Sequence, residues 1–400
     1  KSTNGWASGP ISFMRVFDEQ TETIKQGGVR RGANMGAMSI SHPDILDFIT
    51  CKDQSDSCQH CGNRAPFSNF NISVKLTDEF MNMVDMEDEV FPLISPSTGD
   101  ITTRISPKKT FRLIAEMAWK NGEPGVIFID RMNAENPTPG LGDFHATNPC
   151  SEQPLLPNEA CNLGSINLVN HLKKDGFDWK KLKETVKLAV RFLDDVITVN
   201  KYPIPEIYEQ VAKTRKIGLG VMGWADCLVK LGIPYASQRA LDLAEQVMRT
   251  INETAYEASL NLADERGPFP AVEDSIYADH RRKPRNAART TIAPTGTISR
   301  VFEVSSGIEP HFGLSYTKHV VDGPDLFFVN EDLMVELRRL RDTGEITEKQ
   351  FYDAIKHVEM TGSVKDLGFL PYDIREVFAI ALEIDPEWHI RMQAAFQKHT

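Results

Sequence analysis

Only six of the 400 residues are cysteines (Cys51, Cys58, Cys61, Cys150, Cys161 and Cys227), too few to staple a chain of this length. A disulfide scaffold is therefore excluded, and each sulfur must be weighed for burial or for chemistry. Basic residues are in deficit too: 45 Lys and Arg stand against 56 Asp and Glu, a formal charge of −11. Gripping nucleic-acid phosphates needs clustered excess cation, so no nucleic-acid partner is expected and any bound phosphate should be small and locally held. No run reaches the roughly 18 uninterrupted apolar residues of a membrane-spanning helix, so no membrane partner is expected either. Repeats at solenoid periods and low-complexity tracts are missing. The opening Lys1-Ser2-Thr3-Asn4-Gly5 has neither an apolar signal core nor an initiator Met. A cytoplasmic protein and a truncated chain are the expectations.

What is present is 41% hydrophobic residues with 25% charged, enough to bury one large core or two moderate ones. Helical patterns alternate with short apolar runs, which predicts an α/β fold. Helices are expected at 11–26 (stopped by Gly27-Gly28), 107–120, 178–200, 205–214 and 238–266, the last closed by Gly267-Pro268. Strand-like runs occupy Met35–Ile40, Phe70–Lys75, Gly125–Ile129 and Thr290–Ala293. From about 324 to 383 charge density rises and helical patterns dominate, as in a helical flank. Cys227, inside Gly223-Trp224-Ala225-Asp226-Cys227-Leu228, is expected to be inert core.

The most informative segment is Ala146-Thr147-Asn148-Pro149-Cys150-Ser151-Glu152-Gln153-Pro154-Leu155. Two prolines disfavour a helix, so an extended loop or strand edge is predicted, whose period of two puts Asn148, Cys150 and Glu152 on one face. A carboxylate beside a thiol keeps the sulfur protonated, which disfavours thiolate nucleophilic catalysis and suits hydrogen-atom chemistry with the carboxylate handling a proton. Spacing alone leaves open an accidental grouping in a loop.

Two further segments carry weaker signals. Gln26-Gly27-Gly28-Val29-Arg30-Arg31-Gly32 joins glycine freedom to two guanidiniums, suited to phosphate or base contacts and equally to a solvated loop. Pro294-Thr295-Gly296-Thr297-Ile298-Ser299 follows a β-branched run. A helix starting there would offer N–H groups to an anion, helped by the hydroxyls of Thr295, Thr297 and Ser299, although a plain strand-to-helix turn reads the same. It lacks the Gly-Lys-Ser/Thr ending of a Walker loop.

The run from Asn148-Pro149-Cys150-Ser151-Glu152-Gln153-Pro154-Leu155-Leu156 through Ala160-Cys161-Asn162-Leu163-Gly164-Ser165 resembles the active-site finger loop of ribonucleotide reductase catalytic subunits, most closely the adenosylcobalamin-dependent, diphosphate-reducing class. Ser151 and Ala160 depart from that family's pattern without replacing a reacting group. The resemblance implies that Cys150 becomes the thiyl radical that takes the ribose 3′ hydrogen. Glu152 would be the base at the 3′ hydroxyl, Asn148 a ribose contact, Leu163 a substrate contact, and Cys161 one of two reducing thiols, its partner lying upstream of Lys1. It also implies that 294–299 is a substrate-phosphate loop and that Gln26 to Gly32 belong to a specificity loop linking a dNTP or ATP effector to the substrate base. Lys216 to Gly223, Ser305 to Pro310 and Ile390 to Lys398 extend the resemblance nearly end to end; it breaks at Cys51 to Pro66.

The fold so implied is a ten-stranded α/β barrel of two five-stranded halves with the finger loop inside. Residues 1–323 would form its catalytic portion and 324–400 a mostly helical flank returning to it. Implied partners are a ribonucleoside di- or triphosphate, a thioredoxin-like reductant and a second copy of the chain. Two alternatives stay open: a metal-dependent large subunit that takes its radical from a partner protein, and a non-catalytic zinc- or nucleotide-binding regulator. The latter would use Cys51, Cys58 and Cys61 as a weak metal site crowded around His60.

Overall fold

The computed structural model describes residues 9–24, 32–53, 66–174, 176–318 and 326–400. Two compact units divide the chain: Lys1–Ala160 with Glu273–Ile276, and Cys161–Val272 with Tyr277–Thr400.

The first unit runs α1 (Gly9–Thr23), β1 (Asn34–Ser39), α2 (Ile45–Thr50), β2 (Phe70–Leu76), α3 (Asp78–Met83), β3 (Phe91–Ile94), β4 (Ile101–Ile105), α4 (Pro107–Asn121), β5 (Gly125–Phe128), α5 (Ile129–Ala134), β6 (Ala146–Thr147) and β7 (Pro154–Leu155). Its centre is a parallel sheet, β1-β2-β5, in register Met35 to Asn71 and Val74 to Val126. The middle strand buries Ile72, Val74 and Leu76 against Ile45, Phe48, Phe80 and Leu93. Each such side chain removed from water contributes about 1.5–3 kcal/mol. Helix α4 begins where its sequence directs: the Ser106 hydroxyl accepts from the Lys109 N–H, and Pro107 fills a first-turn position that has no partner to lose. The Glu273–Ile276 piece joins this unit through the Ile276 N–H, which donates to the Pro137 carbonyl at 3.1 Å.

The second unit runs β8 (Asn162–Asn167), β9 (Leu172–Lys173), β10 (Gly176–Phe177), α6 (Trp179–Val199), α7 (Pro205–Thr214), β11 (Ile217–Met222), α8 (Trp224–Lys230), α9 (Gln238–Arg266), α10 (Gly296–Val301), β12 (Ser315–Lys318), β13 (Leu326–Val329), α11 (Glu331–Asp342), α12 (Glu348–Thr361), α13 (Tyr372–Val377) and α14 (Pro386–Gln397). Strands β8 and β11 pair in parallel, and every residue of β11 is buried. Helix α6 presents Leu182, Val186, Val190, Leu193 and Ile197 inward at helical spacing and packs on α9. The same face carries Asp194, fully buried, with Arg215 at 2.9 Å, Asn286 at 3.0 Å, Arg266 at 3.2 Å and Arg285 at 3.5 Å. A carboxylate removed from water persists only when paired this thoroughly.

The strand expected at Thr290–Ala293 is reduced to a single bridge, Thr290 with Leu219, followed by donation from the Thr291 N–H to the Leu219 carbonyl at 3.1 Å. Pro294 has no N–H with which to extend the ladder. The approach is nevertheless close, because a Cβ on Gly220 would lie 2.3 Å from the Thr291 carbonyl oxygen, so only glycine fits. After residue 324 the expected helices form: Leu333, Leu337, Leu340, Phe351 and Val358 make a core with Leu314 and Phe378. The fold is α/β. Among the described residues the strands lie in one three-stranded and several two-stranded sheets, and none of these closes on itself.

Candidate active site

Cys150 sits at the tip of the short antiparallel pair β6/β7, not in an extended segment. The Ser151 N–H donates to the Asn148 carbonyl at 2.9 Å, closing a four-residue turn with Pro149 in its second position, and Ser151 takes a left-handed φ of 65°. Asn148 braces the turn again, since its Oδ1 accepts from the Gln153 N–H at 2.9 Å. The expectation that period-two geometry places Asn148, Cys150 and Glu152 on one face is thus corrected. An Asn-Pro pair is a turn initiator, and side-chain bonding from Asn replaces the extended form. The turn is pinned from below by Asn71 of β2, whose Nδ2 donates to the Pro149 carbonyl at 2.7 Å. Cys150 is exposed, and Asn148 and Glu152 are half-buried beside it.

The other described cysteines divide by environment. Cys161 immediately precedes β8 in the second unit, half-buried, with its Sγ 3.5 Å from the Asn162 carbonyl oxygen. Leu163, two residues on, is 39% exposed and so available to a ligand. Cys227 is fully buried as expected, and burial pushes its thiol pKa up. Burial also raises Cys51 to about 11, so its sulfur stays protonated at neutral pH. Cys58 and Cys61 lie outside the described residues. Among those described, no group of three or more His, Cys, Asp or Glu side chains could hold a metal ion.

At residues 294–299 a helix does begin, at Gly296. Its first described internal bond is from the Ser299 N–H to the Thr295 carbonyl, 2.9 Å, so the amides of Gly296, Thr297 and Ile298 precede the ladder. The expected role of the hydroxyls needs revision. Thr295 Oγ1 is turned inward and accepts from the Gly307 N–H at 2.8 Å; Ser299 Oγ is buried 2.9 Å from Ser306 Oγ. Only Thr297 of the three presents an exposed hydroxyl. Thr295 holds a left-handed φ of 55°, a strained conformation for a β-branched residue that the Gly307 contact helps to fix.

Of the glycine-rich basic segment, Gln26, Gly27, Gly28, Arg30 and Arg31 lie outside the described residues. Gly32 is described, and a Cβ there would meet Thr21 Cγ2 at 3.0 Å. Sequence reasoning missed Asn71, a polar residue inside an apolar strand, and Asp226, an acid in an otherwise apolar helical turn. Both patterns were visible, but what such groups hold is not.

Comparison with known proteins completes the assignment. The model of the ribonucleotide reductase barrel domain matches residues 1–400. The chain is 47% identical over 401 residues to the vitamin B12-dependent ribonucleoside-diphosphate reductase of Thermoplasma acidophilum, and 46% identical over 401 residues to the protein of that name from Mycobacterium tuberculosis. These alignments cover 100% of this chain but 50% and 54% of the relatives, so the chain spans about half their length. In fold it matches the Actinobacillus ureae class Id ribonucleotide reductase alpha subunit with a TM-score of 0.75, covering 98% of this chain and 67% of that one at 23% identity. With its whole length matched by the barrel-domain model, the chain belongs to the ribonucleotide reductase family.

Proposed function

We propose that the chain is the catalytic barrel portion of a cytoplasmic, adenosylcobalamin-dependent reductase that converts ribonucleoside diphosphates to deoxyribonucleotides through a thiyl radical on Cys150. The observation that carries this reading is the exposed sulfur at the tip of a braced turn, in a chain so similar along its length to vitamin B12-dependent relatives. An exposed sulfur fits a large external cofactor, whereas burial like that of Cys227 would forbid contact. When bound, adenosylcobalamin supplies the radical chemistry.

The chain's own residues then act in order. Cys150 takes the 3′ hydrogen atom of the ribose, and Glu152 accepts the proton of the 3′ hydroxyl. Asn148 keeps its Oδ1 on Gln153, so its Nδ2 is the end that donates to a ribose oxygen. Cys161 and a second thiol supply two electrons and two protons; the 2′ hydroxyl leaves as water, the sulfurs close as a disulfide, and Cys150 returns its hydrogen atom to C3′. A thioredoxin-like reductant reopens the disulfide. The loop 294–299 holds the phosphates and Leu163 touches the substrate, while Gln26 to Gly32 couple a dNTP or ATP effector to base choice. The whole protein is a homodimer whose ten-stranded barrel is flanked by residues 324–400.

The test is Cys150→Ser in the full-length protein, which should abolish CDP reduction while leaving CDP binding near normal. Reduction at the unaltered rate would remove Cys150 from its radical role. Turnover that ignores adenosylcobalamin and demands a partner subunit would instead favour the metal-dependent class.

A further inference from the structure

The strap Val304–Gly307 is gripped along both edges. On one edge, Ser305 is tied to the turn that starts α8 by three bonds: its N–H donates to Asp226 Oδ2 at 2.6 Å, its carbonyl accepts from the Gly223 N–H at 2.8 Å, and its Oγ accepts from the Ala225 N–H at 3.1 Å. On the other edge, the Val304 N–H donates to the Ser299 carbonyl at 3.0 Å, Ser306 Oγ meets Ser299 Oγ at 2.9 Å, and the Gly307 N–H donates to Thr295 Oγ1 at 2.8 Å. Gly307 itself has a φ of 49°, and a Cβ there would come 3.0 Å from the Ala293 carbonyl oxygen, so the strap lies directly on the loop.

The charged member of this chain of contacts is Asp226, largely buried. Its second oxygen, Oδ1, lies 3.7 Å from His311 Nε2, beyond hydrogen-bonding distance, so the bond to the strap is the contact that fixes the carboxylate. A bond from a carboxylate to a backbone N–H is among the stronger uncharged-donor contacts, and here it fixes the one residue whose neighbours on both sides hold the loop.

We infer that Asp226 is a positioning residue for the loop 294–299: by fixing Ser305 it sets where Thr295 and Ser299 stand, and hence where the backbone amides of Gly296, Thr297 and Ile298 meet the phosphate of a nucleoside diphosphate. Asp226 touches no substrate on this account and acts only through the strap. The inference rests on the reading of 294–299 as the substrate-phosphate loop.

The experiment compares three variants of the full-length protein, with CDP as substrate and dTTP as the effector probe. Asp226→Leu keeps the branched shape but removes the acceptor, and should raise KM for CDP about tenfold, the expected loss of one charge-assisted hydrogen bond. Dissociation of dTTP should stay unchanged. Asp226→Asn retains an oxygen for the Ser305 N–H and should recover most of that loss. Thr297→Glu puts a like charge on the exposed loop surface and tests the underlying reading by itself.

A raised KM in both Asp226→Leu and Thr297→Glu, with recovery in Asp226→Asn, supports the inference. A raised KM in Thr297→Glu alone overturns the positioning role and leaves the phosphate-loop reading standing. An unaffected KM in Thr297→Glu removes that reading and the inference with it. If Asp226→Leu lowers thermal stability, kcat and dTTP binding together, its role is general structure and the inference fails. Should that variant not fold, Ser306→Ala, which removes only one hydroxyl on the loop-facing edge, takes its place; about a threefold rise in KM is expected, and no change overturns the proposal.

Discussion

Asn148 shapes the turn under Cys150 twice over, once through its carbonyl and once through its side chain, and Asn71 anchors the same turn to β2. Positioning a reacting atom matters more to rate than to stability, because small misplacements raise barriers without unfolding anything. If Cys150 carries the proposed radical, Asn71→Ala should therefore cost about 1 kcal/mol or less in unfolding free energy while lowering CDP turnover of the full-length protein several-fold, which paired denaturation and steady-state assays would show. Exposure makes a second forecast: on brief treatment with iodoacetamide, mass spectrometry should find Cys150 modified well before buried Cys227. At this scale the sequence marked the segment that carries the sulfur but not its conformation. Both an extended segment and a turn satisfy two prolines, and the choice is made by an Asn side-chain bond that residue identity permits without requiring.

Helices were legible where their ends are chemically marked. Ser106-Pro107, Asp178, Pro205, Ser237 and Gly267 bound α4, α6, α7 and α9 within a residue or so of expectation, because a cap or stop acts locally. Helix α1 ends at Thr23 instead of reaching 26, and the hairpin β3/β4 escaped notice, since its exposed β4 has little apolar pattern. Strand β11 shows why pairing is harder to read than existence. Its glycines look like weak strand formers, yet Gly220 is there because the Thr291 carbonyl leaves no space. Gly220→Ala should force β11 and the 290–293 segment apart, costing roughly 3 kcal/mol in chemical denaturation, at the upper end for an overpacked core. A loss below about 1 kcal/mol would mean that the segment is free to move away.

For the molecule as a whole, resemblance identified what periodicity could not: alternating patterns give α/β, while ordered motifs from Cys150 to Ser299 give the family. The boundary at Ala160 was invisible because it falls inside the most motif-rich run, with no linker composition to announce it. Two histidines, the buried His171 and the largely enclosed His311, set the expected acid limit. Burial holds His171 and His311 below their usual pKa of 6.5, with the His171 ring between the Asn167 carbonyl and Thr185 Oγ1. For His311 burial outweighs the opposing pull of Asp226 and Asp332. The unfolded chain then binds more protons than the folded one, so stability is whole above pH 6.5 and declines as pH falls through the lower folded values. Unfolding free energies measured from pH 7.5 to 5 should show this slope, and His171→Gln should flatten it. The return of Glu273–Ile276 to the first unit has a bearing on biosynthesis. A chain leaving the ribosome cannot finish that unit when Ala160 appears; Pro137 waits for its partner until Ile276 emerges, so the earlier part stays incomplete while all of α6 to α9 is being made.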